Sequence, residues 1–286
     1  IEFFRPKIFL FENVKGLLSS KWTAEGDKGE IWRDVWSRFH AIEGYTVHWQ
    51  LVSAKDYGVP QNRPRVLGVG IREDIKYDSS VGIANGHLPS GSGGYPSVPE
   101  LLSDLVDPDY LKGTTLRYPA AATSAVQIEL RRDPKTGKVR QKGSALSEQE
   151  YSKHSEKIVA KFEHMIAHGG EIPHNMQTKK FAQRVLPTKW GANGPNITAT
   201  SLPDDYVHFA QPRSLTVREW ARLQTFPDWY EFSGKRTTGG TRRAGNPQEG
   251  DFEREAPKYT QIGNAVPVWL AKSVGEHFKS ILLNNN

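Results

Sequence analysis

The sequence predicts an α/β fold, in which half of a doubly wound domain is joined to a smaller, mostly irregular or β-rich domain. Three observations carry this. A continuous apolar run, Ile8 to Phe11, has the pattern of a strand buried on both faces of a parallel sheet. A helical pattern and two further strand patterns follow within 65 residues, which is α/β grammar. Beyond about residue 77 that regularity lapses into Gly-, Ser- and Pro-rich sequence.

In order, Lys7–Val14 is the first predicted strand. A helix is expected over about 30–43, with Ile31, Val35, Phe39 and Ile42 on one apolar face. Tyr45–Val52 and Arg65–Ile71 read as the second and third strands, in a mostly parallel sheet with one hairpin-like reversal. Residues 78–97 read as a linker or surface loop. A short helix is predicted at 98–105, with Pro99 in its first turn, while 107–146 show little helical periodicity. Ser147 and Glu150 fit a capping box, so a longer helix is expected from Ser147 to the Gly169-Gly170 stop. After irregular residues 171–200, Thr216 and Glu219 repeat the capping-box signature. The last helix is expected from Pro267, carrying Val266, Leu270, Val274 and Phe278 on one side.

Composition narrows the function. The chain has no cysteine, which removes disulfides, thiolate metal sites and any Cys nucleophile from these 286 residues. No apolar stretch approaches the ~18 residues of a membrane span, and no metal-ligand cluster is evident. A net charge of +6 and a pI near 9.3 fit a polyanionic partner. The charge is concentrated. Residues 131–142 (RRDPKTGKVRQK) carry six basic side chains against Asp133 alone, and 235–243 (KRTTGGTRR) carry four more. Either stretch reads equally as a solvated loop or as a phosphate contact. The chain opens at Ile1 in sequence that resembles the tail of an element already under way.

Four short strings stand out. Glu12-Asn13-Val14 ends a predicted strand, where open α/β sheets place their ligands; Glu12 could equally cap the following turn. Gln61-Asn62-Arg63-Pro64-Arg65 leads directly into a strand, with two Arg at alternate positions that serve either ligand oxygens or surface ion pairs. Arg213–Asp228 (RSLTVREWARLQTFPD) reads first as a well-built structural helix. Gln261–Pro267 (QIGNAVP) places Gly263 and Asn264 before a helix, where backbone N–H groups could face a ligand.

In this order the four strings resemble signature motifs of the cytosine-C5 DNA methyltransferase family, specifically its C-terminal portion. The resemblance covers roughly 1–76 and 195–286. The variable region between has the size and place of that family's target-recognition domain, with Leu101–Leu105 (LLSDL) and Asn196–Thr200 (NITAT) at its edges. The resemblance implies the second half of a Rossmann-like S-adenosylmethionine-dependent methyltransferase domain at 1–76. It implies a DNA-recognition domain at 77–257 with a scaffold helix in 213–228, and a return segment at 258–286 that packs on the catalytic domain.

It also implies the chemistry. Such enzymes flip a cytosine out of the duplex, add a Cys thiolate to C6 and methylate C5. By this likeness Glu12 contacts N3 and the exocyclic amine, Arg65 the O2, and Arg63 and Gln61 support the active-site loop. Gly263, Asn264 and Val266 resemble one wall of the S-adenosylmethionine pocket. Arg131, Arg132, Lys135, Lys138, Thr198, Arg236, Arg242 and Arg243 are the expected DNA contacts. The partner is double-stranded DNA, in a bacterial cytoplasm at the nucleoid, within a restriction-modification system. The family's Gly-rich cofactor loop and Pro-Cys motif are absent here; relatives carry both upstream of the ENV strand, so they are expected on a separate chain or an omitted segment. A second reading is a non-catalytic DNA-binding module derived from the same family. Retention of Glu12 together with Arg65 favours the enzyme. An RNA methyltransferase is a third reading, disfavoured by a variable region of about 120 residues.

Overall fold

A computed structural model describes residues 1–78, 87–91, 93–177, 183–187, 194–198, 205–237 and 256–284. The chain forms two compact units, Ile1–Tyr95 with Val268–Asn286, and Pro96–Pro267. These boundaries assign 77–95 to the first unit and 258–267 to the second.

The first unit is built on three strands, β1 (Ile8–Val14), β2 (Tyr45–Ser53) and β3 (Pro64–Arg72), in the order β1-β3-β2. Both outer strands run antiparallel to β3, so this described sheet is antiparallel throughout and not mostly parallel. The strand buried on both faces is β3, whose residues from Arg65 to Ile71 are all buried. β1 lies at the edge of the described sheet and has no fully buried residue. Its apolar run splits by the period-2 rule. Phe9 and Phe11 turn to one face, while Ile8 and Leu10 turn to the other.

Helix α1 (Glu30–His40) covers the Phe9/Phe11 face through Trp32, Trp36 and Phe39. The sheet-facing stripe is thus rotated toward the tryptophans, and the helix stops before Ile42. Gly68 and Gly70 of β3 leave the room these rings need, since a Cβ on Gly70 would run into the Phe9 ring. The opposite face buries Leu67, Val69 and Ile71.

The second unit opens with α2 (Val98–Leu102), capped by a Ser97/Glu100 box with Pro99 in its first turn. A six-residue helix, α3 (Ala125–Leu130), follows where none was expected; Ser124 and Gln127 form its capping box. Helix α4 (Glu156–Ala167) starts later than Ser147 but ends as predicted at Gly169 and Gly170, both at positive φ. The Ser147/Glu150 box does not form, because Ser147 accepts hydrogen bonds from Arg218 and Glu150 bridges to Thr114. α4 packs Phe162 and Met165 against Val207. Val207 belongs to β5 (Tyr206–Val207), which pairs parallel with β4 (Arg184–Val185). Isolated antiparallel bridges at 117/145 and 132/139 complete an irregular, partly β interior.

α5 (Val217–Leu223) has the predicted Thr216/Glu219 capping box, and all seven of its residues are buried. Residues Lys258–Asn264 form α6, a helix the sequence did not suggest. The final helix, α7 (Val268–Leu283), buries Leu270 and Val274 as expected, with Ile281 completing the stripe. It belongs to the first unit, where it meets the 3-10 turn Ala54–Tyr57.

Candidate functional site

The strand-end residues of the first unit come together. Val14 pairs with Arg65, and Glu12 with Leu67, so Glu12 and Arg65 are diagonal neighbours on one face of the antiparallel pair. The Arg65 Nε lies 2.7 Å from Glu12 Oε1, with the Arg65 side chain 8% exposed and that of Glu12 29%. Arg65 also donates from Nη1 to the Pro64 carbonyl at 2.8 Å. Burial lowers the Arg65 pKa, and Glu12 opposes that shift.

The loop feeding β3 supports the pair. After the 3-10 turn Ala54–Tyr57, Gly58 takes a left-handed conformation (φ 79°), and Val59, Gln61 and Arg63 are buried. Arg63 Nη1 faces Gln61 Oε1 at 3.5 Å, and the Arg63 carbonyl accepts from Ala54 N–H. Burial, then the like charge of Arg65, pull the Arg63 pKa down to about 9, with Glu12 working the other way. Tyr57 anchors the loop by donating to the Pro89 carbonyl at 3.2 Å, and burial pushes its pKa up to about 12. Gly91 permits this approach, since a Cβ there would sit 2.5 Å from the Asp56 carbonyl oxygen. Chemically, the result is a carboxylate that reaches solvent, locked to a guanidinium that scarcely does.

Gly263, Asn264 and Val266 are placed differently from expectation. Gly263 and Asn264 close α6 instead of leading directly into the last helix, which begins at Val268. Amides of that turn are used within the chain: Ala265 N–H donates to the Gln261 and Ile262 carbonyls, and Gln224 Nε2 holds the Ile262 carbonyl at 2.8 Å. What the turn offers is the exposed Asn264 side chain beside a half-buried Val266.

Of the expected DNA contacts, Arg131 is corrected. Its side chain is fully buried, 2.6 Å from Asp104 Oδ2, with its guanidinium 3.8 Å above the Tyr118 ring. A guanidinium so enclosed cannot reach a phosphate. It belongs to a buried network in which Arg222 meets Asp104 and Asp228, each at 2.6 Å, and Tyr118 donates to Asp228 at 2.7 Å. Arg218 lies 4.0 Å from Asp228 and donates to the Tyr230 carbonyl. The 213–228 string is thus structural in its charged residues.

Arg132, Lys135 and Lys138 do face outward. They ride on a turn pinned by Asp133, whose Oδ1 accepts the backbone N–H of Lys135 and Thr136; Arg132 also pairs with Glu129 at 3.1 Å. Thr198 is exposed. Arg236 is half-buried and tied to Ser152 and Glu150. Arg242 and Arg243 lie outside the described residues. Among those described, no cluster of three or more His, Cys, Asp or Glu could hold a metal, and no helix is long and apolar enough to cross a membrane.

A second buried pair sets an acid sensitivity. Burial raises the Glu219 pKa, but Arg213 at 2.6 Å overrides this and holds it at about 2. His208 Nδ1 accepts from Ala210 and Gln211 N–H, and burial with nearby Arg213 pushes its pKa down to about 3. The unfolded chain therefore takes up the imidazole proton first, and stability drains as pH falls from about 6.5 toward 3. Urea unfolding should show a loss of about 2 kcal/mol between pH 6.5 and 5. Most of it should vanish in His208→Asn, whose amide oxygen can accept the same N–H groups. An unchanged slope in that variant would clear His208 of the effect.

One feature of this unit carried no sequence signal. A cleft of about 420 Å³ is lined by Tyr110, Leu111, Lys112, Tyr151, Lys153 and Arg213 among others. Its residues are drawn from 110–113, 151–154, 159 and 212–213, with no shared periodicity.

Comparison with known proteins bears on the whole chain. The family described as C-5 cytosine-specific DNA methylase matches residues 1–280. The Type II methyltransferase M.DdeI of Desulfomicrobium norvegicum is 29% identical over 306 residues, covering 100% of this chain and 67% of that protein. M.BspRI of Lysinibacillus sphaericus is 32% identical, covering 95% and 50%. The chain spans about half to two thirds of the length of these relatives. A crystal structure described as a DNA modification methyltransferase encoded within an E. coli prophage shares the fold, with a TM-score of 0.62 at 18% identity, over 98% of this chain and 70% of that one.

Proposed function

Because the chain belongs to the C-5 cytosine-specific DNA methylase family, we propose that it is the cytosine-binding and DNA-recognition portion of a bacterial Type II modification methyltransferase. The observation that carries this is the Glu12–Arg65 pair at the strand end. A duplex-binding module needs no half-exposed carboxylate clamped to a buried guanidinium. A flipped cytosine needs both. Addition at C6 drives charge onto N3 and O2 of the ring. Glu12, whose side chain is 29% exposed, holds or supplies a proton at N3 and accepts from the exocyclic amine. Arg65 donates to O2, and its pairing with Glu12 fixes the spacing of the two groups. Buried Gln61 and Arg63 keep the loop from yielding when the base enters.

S-adenosylmethionine supplies the methyl group when bound. The exposed Asn264 amide and Val266 beside it suit one edge of such a ligand, and this sequence holds no cysteine that could serve as the thiolate nucleophile. The protein acts in the bacterial cytoplasm, on chromosomal DNA.

The test is transfer of labelled methyl to duplex DNA, with and without a polypeptide bearing the Gly-rich loop and Pro-Cys motif. Transfer only with that partner is expected. Tight duplex binding with no transfer in any combination would favour the non-catalytic module instead.

In the second unit, Lys135 and Lys138 are assigned to phosphates. Replacing both with Ala should weaken binding to all duplexes alike and reduce the salt slope by roughly two. A changed sequence preference with the slope intact would refute the assignment.

A further inference from the structure

We propose that the cleft beside Tyr110 takes up one nucleobase of the bound duplex, unstacked from its strand, and that Leu111 fills the place the base leaves. This rests on the DNA-binding reading above and concerns a base other than the one Glu12 and Arg65 would hold. An unstacked base costs a few kcal/mol unless an aromatic face receives it and an apolar side chain replaces it in the stack. Three observations meet those needs.

The first is the receptacle. Its floor includes the nearly buried Tyr151 ring, over which the Arg213 guanidinium already lies at 4.7 Å from the ring centre. Arg213 is fixed by two bonds to Glu219 at 2.6 and 2.8 Å, and Tyr151 OH lies 2.8 Å from Thr115 Oγ1, so the floor is rigid. Tyr110 stands edge-on to Tyr151 at 5.9 Å and presents a half-exposed wall. At about 420 Å³ the space falls within the range of small-ligand sites, which extends from roughly 300 to 1,000 Å³.

The second is charge. The lining includes Lys112 and Lys153 and no carboxylate, while Arg213 there is already neutralised by Glu219. Lys112 is tied to Asp109 at 2.7 Å, but on the exposed rim. Lys153 is exposed and has no ion-pair partner among the described residues, leaving its ammonium for a flanking phosphate.

The third is Leu111. It is 81% exposed at the centre of the 3-10 turn Tyr110–Lys112, which Gly113 closes at φ 99°. It stands out between an aromatic wall and a cationic rim, where insertion between base steps would use it.

The test uses the full chain and two mixed-sequence duplexes, one fully paired and one carrying a single bulged 5-iododeoxyuridine. The bulged duplex should bind roughly five-fold tighter or more, the lower end of what stacking one base on an aromatic ring provides. Near-ultraviolet irradiation should crosslink the bulged base to the peptide containing Tyr110. Tyr110→Ala should lose the crosslink. Both Tyr110→Ala and Leu111→Ala, the latter at an exposed position that folding does not depend on, should lose the preference without abolishing binding of paired DNA. Equal binding of the two duplexes, a crosslink outside the cleft, or a preference that survives both substitutions would overturn the proposal. Failure to bind either duplex would defeat the DNA-binding reading as well, whereas tight binding of both without preference defeats the cleft alone.

Discussion

Asp104→Asn should destabilise the second unit by about 3–5 kcal/mol, the cost of stripping one partner from a buried ion network. The substitution changes almost no volume, so the effect isolates charge. In the native fold Asp104 and Asp228 face Arg131, Arg222 and Arg218, all fully buried. Removing Asp104's charge leaves three buried guanidinium groups around one carboxylate. The site also joins distant parts of the chain, since Arg222 donates to both Asp104 and the Leu101 carbonyl. Urea unfolding at neutral pH measures the loss. Asp109→Asn is the comparison: its ion pair with Lys112 is nearly as short, 2.7 Å against 2.6 Å, but both side chains are mostly exposed, and its removal should cost no more than about 1 kcal/mol. Equal effects of the two substitutions would show that the network adds nothing beyond a surface pair. Adding Arg131→Met to Asp104→Asn should recover part of the loss, because it removes one of the stranded charges.

That same network marks where the sequence stopped being legible. Strands β2 and β3, helix α1 and the Thr216/Glu219 cap all follow from signals within about ten residues, and the structure has each of them. Local signals failed where a distant residue outbid them. Ser147 and Glu150 spell a capping box, yet Arg218, 71 residues on, takes the Ser147 oxygens and keeps the segment extended. Arg131 opens a stretch, 131–142, with six basic side chains, yet Asp104 and Tyr118 draw its own side chain inside. Charge runs describe composition, whereas burial of any one guanidinium depends on a partner that only folding supplies. For β1 the limit is different: an apolar run conveys hydrophobicity on two faces but not which neighbour pairs with it, or in which direction.

The Glu12 site was legible for a different reason. Glu12 and Arg65 stand out by the motifs that hold them, and the antiparallel register of β1 and β3, which no strand pattern conveys, brings them into diagonal contact across 53 positions. Glu12→Gln in the complete enzyme should therefore cut methyl transfer by roughly 10²–10⁴, the usual contribution of a positioned proton-transfer group. Duplex affinity should stay within a few-fold, because the second unit carries the expected phosphate contacts. Gln keeps the shape and one oxygen for the Arg65 guanidinium, but it can neither carry the charge nor pass the proton that N3 requires. The loss should appear in kcat as well as kcat/KM, since the interaction tightens only as charge develops on the ring. Both Arg63 and Arg65 feel the Glu12 charge, so thermal unfolding of the variant should accompany the kinetics. A folded variant with wild-type turnover would remove Glu12 from the mechanism. Parallel loss of turnover and DNA affinity would make it a structural residue of the loop, whereas loss of turnover alone places its carboxylate at the reacting base.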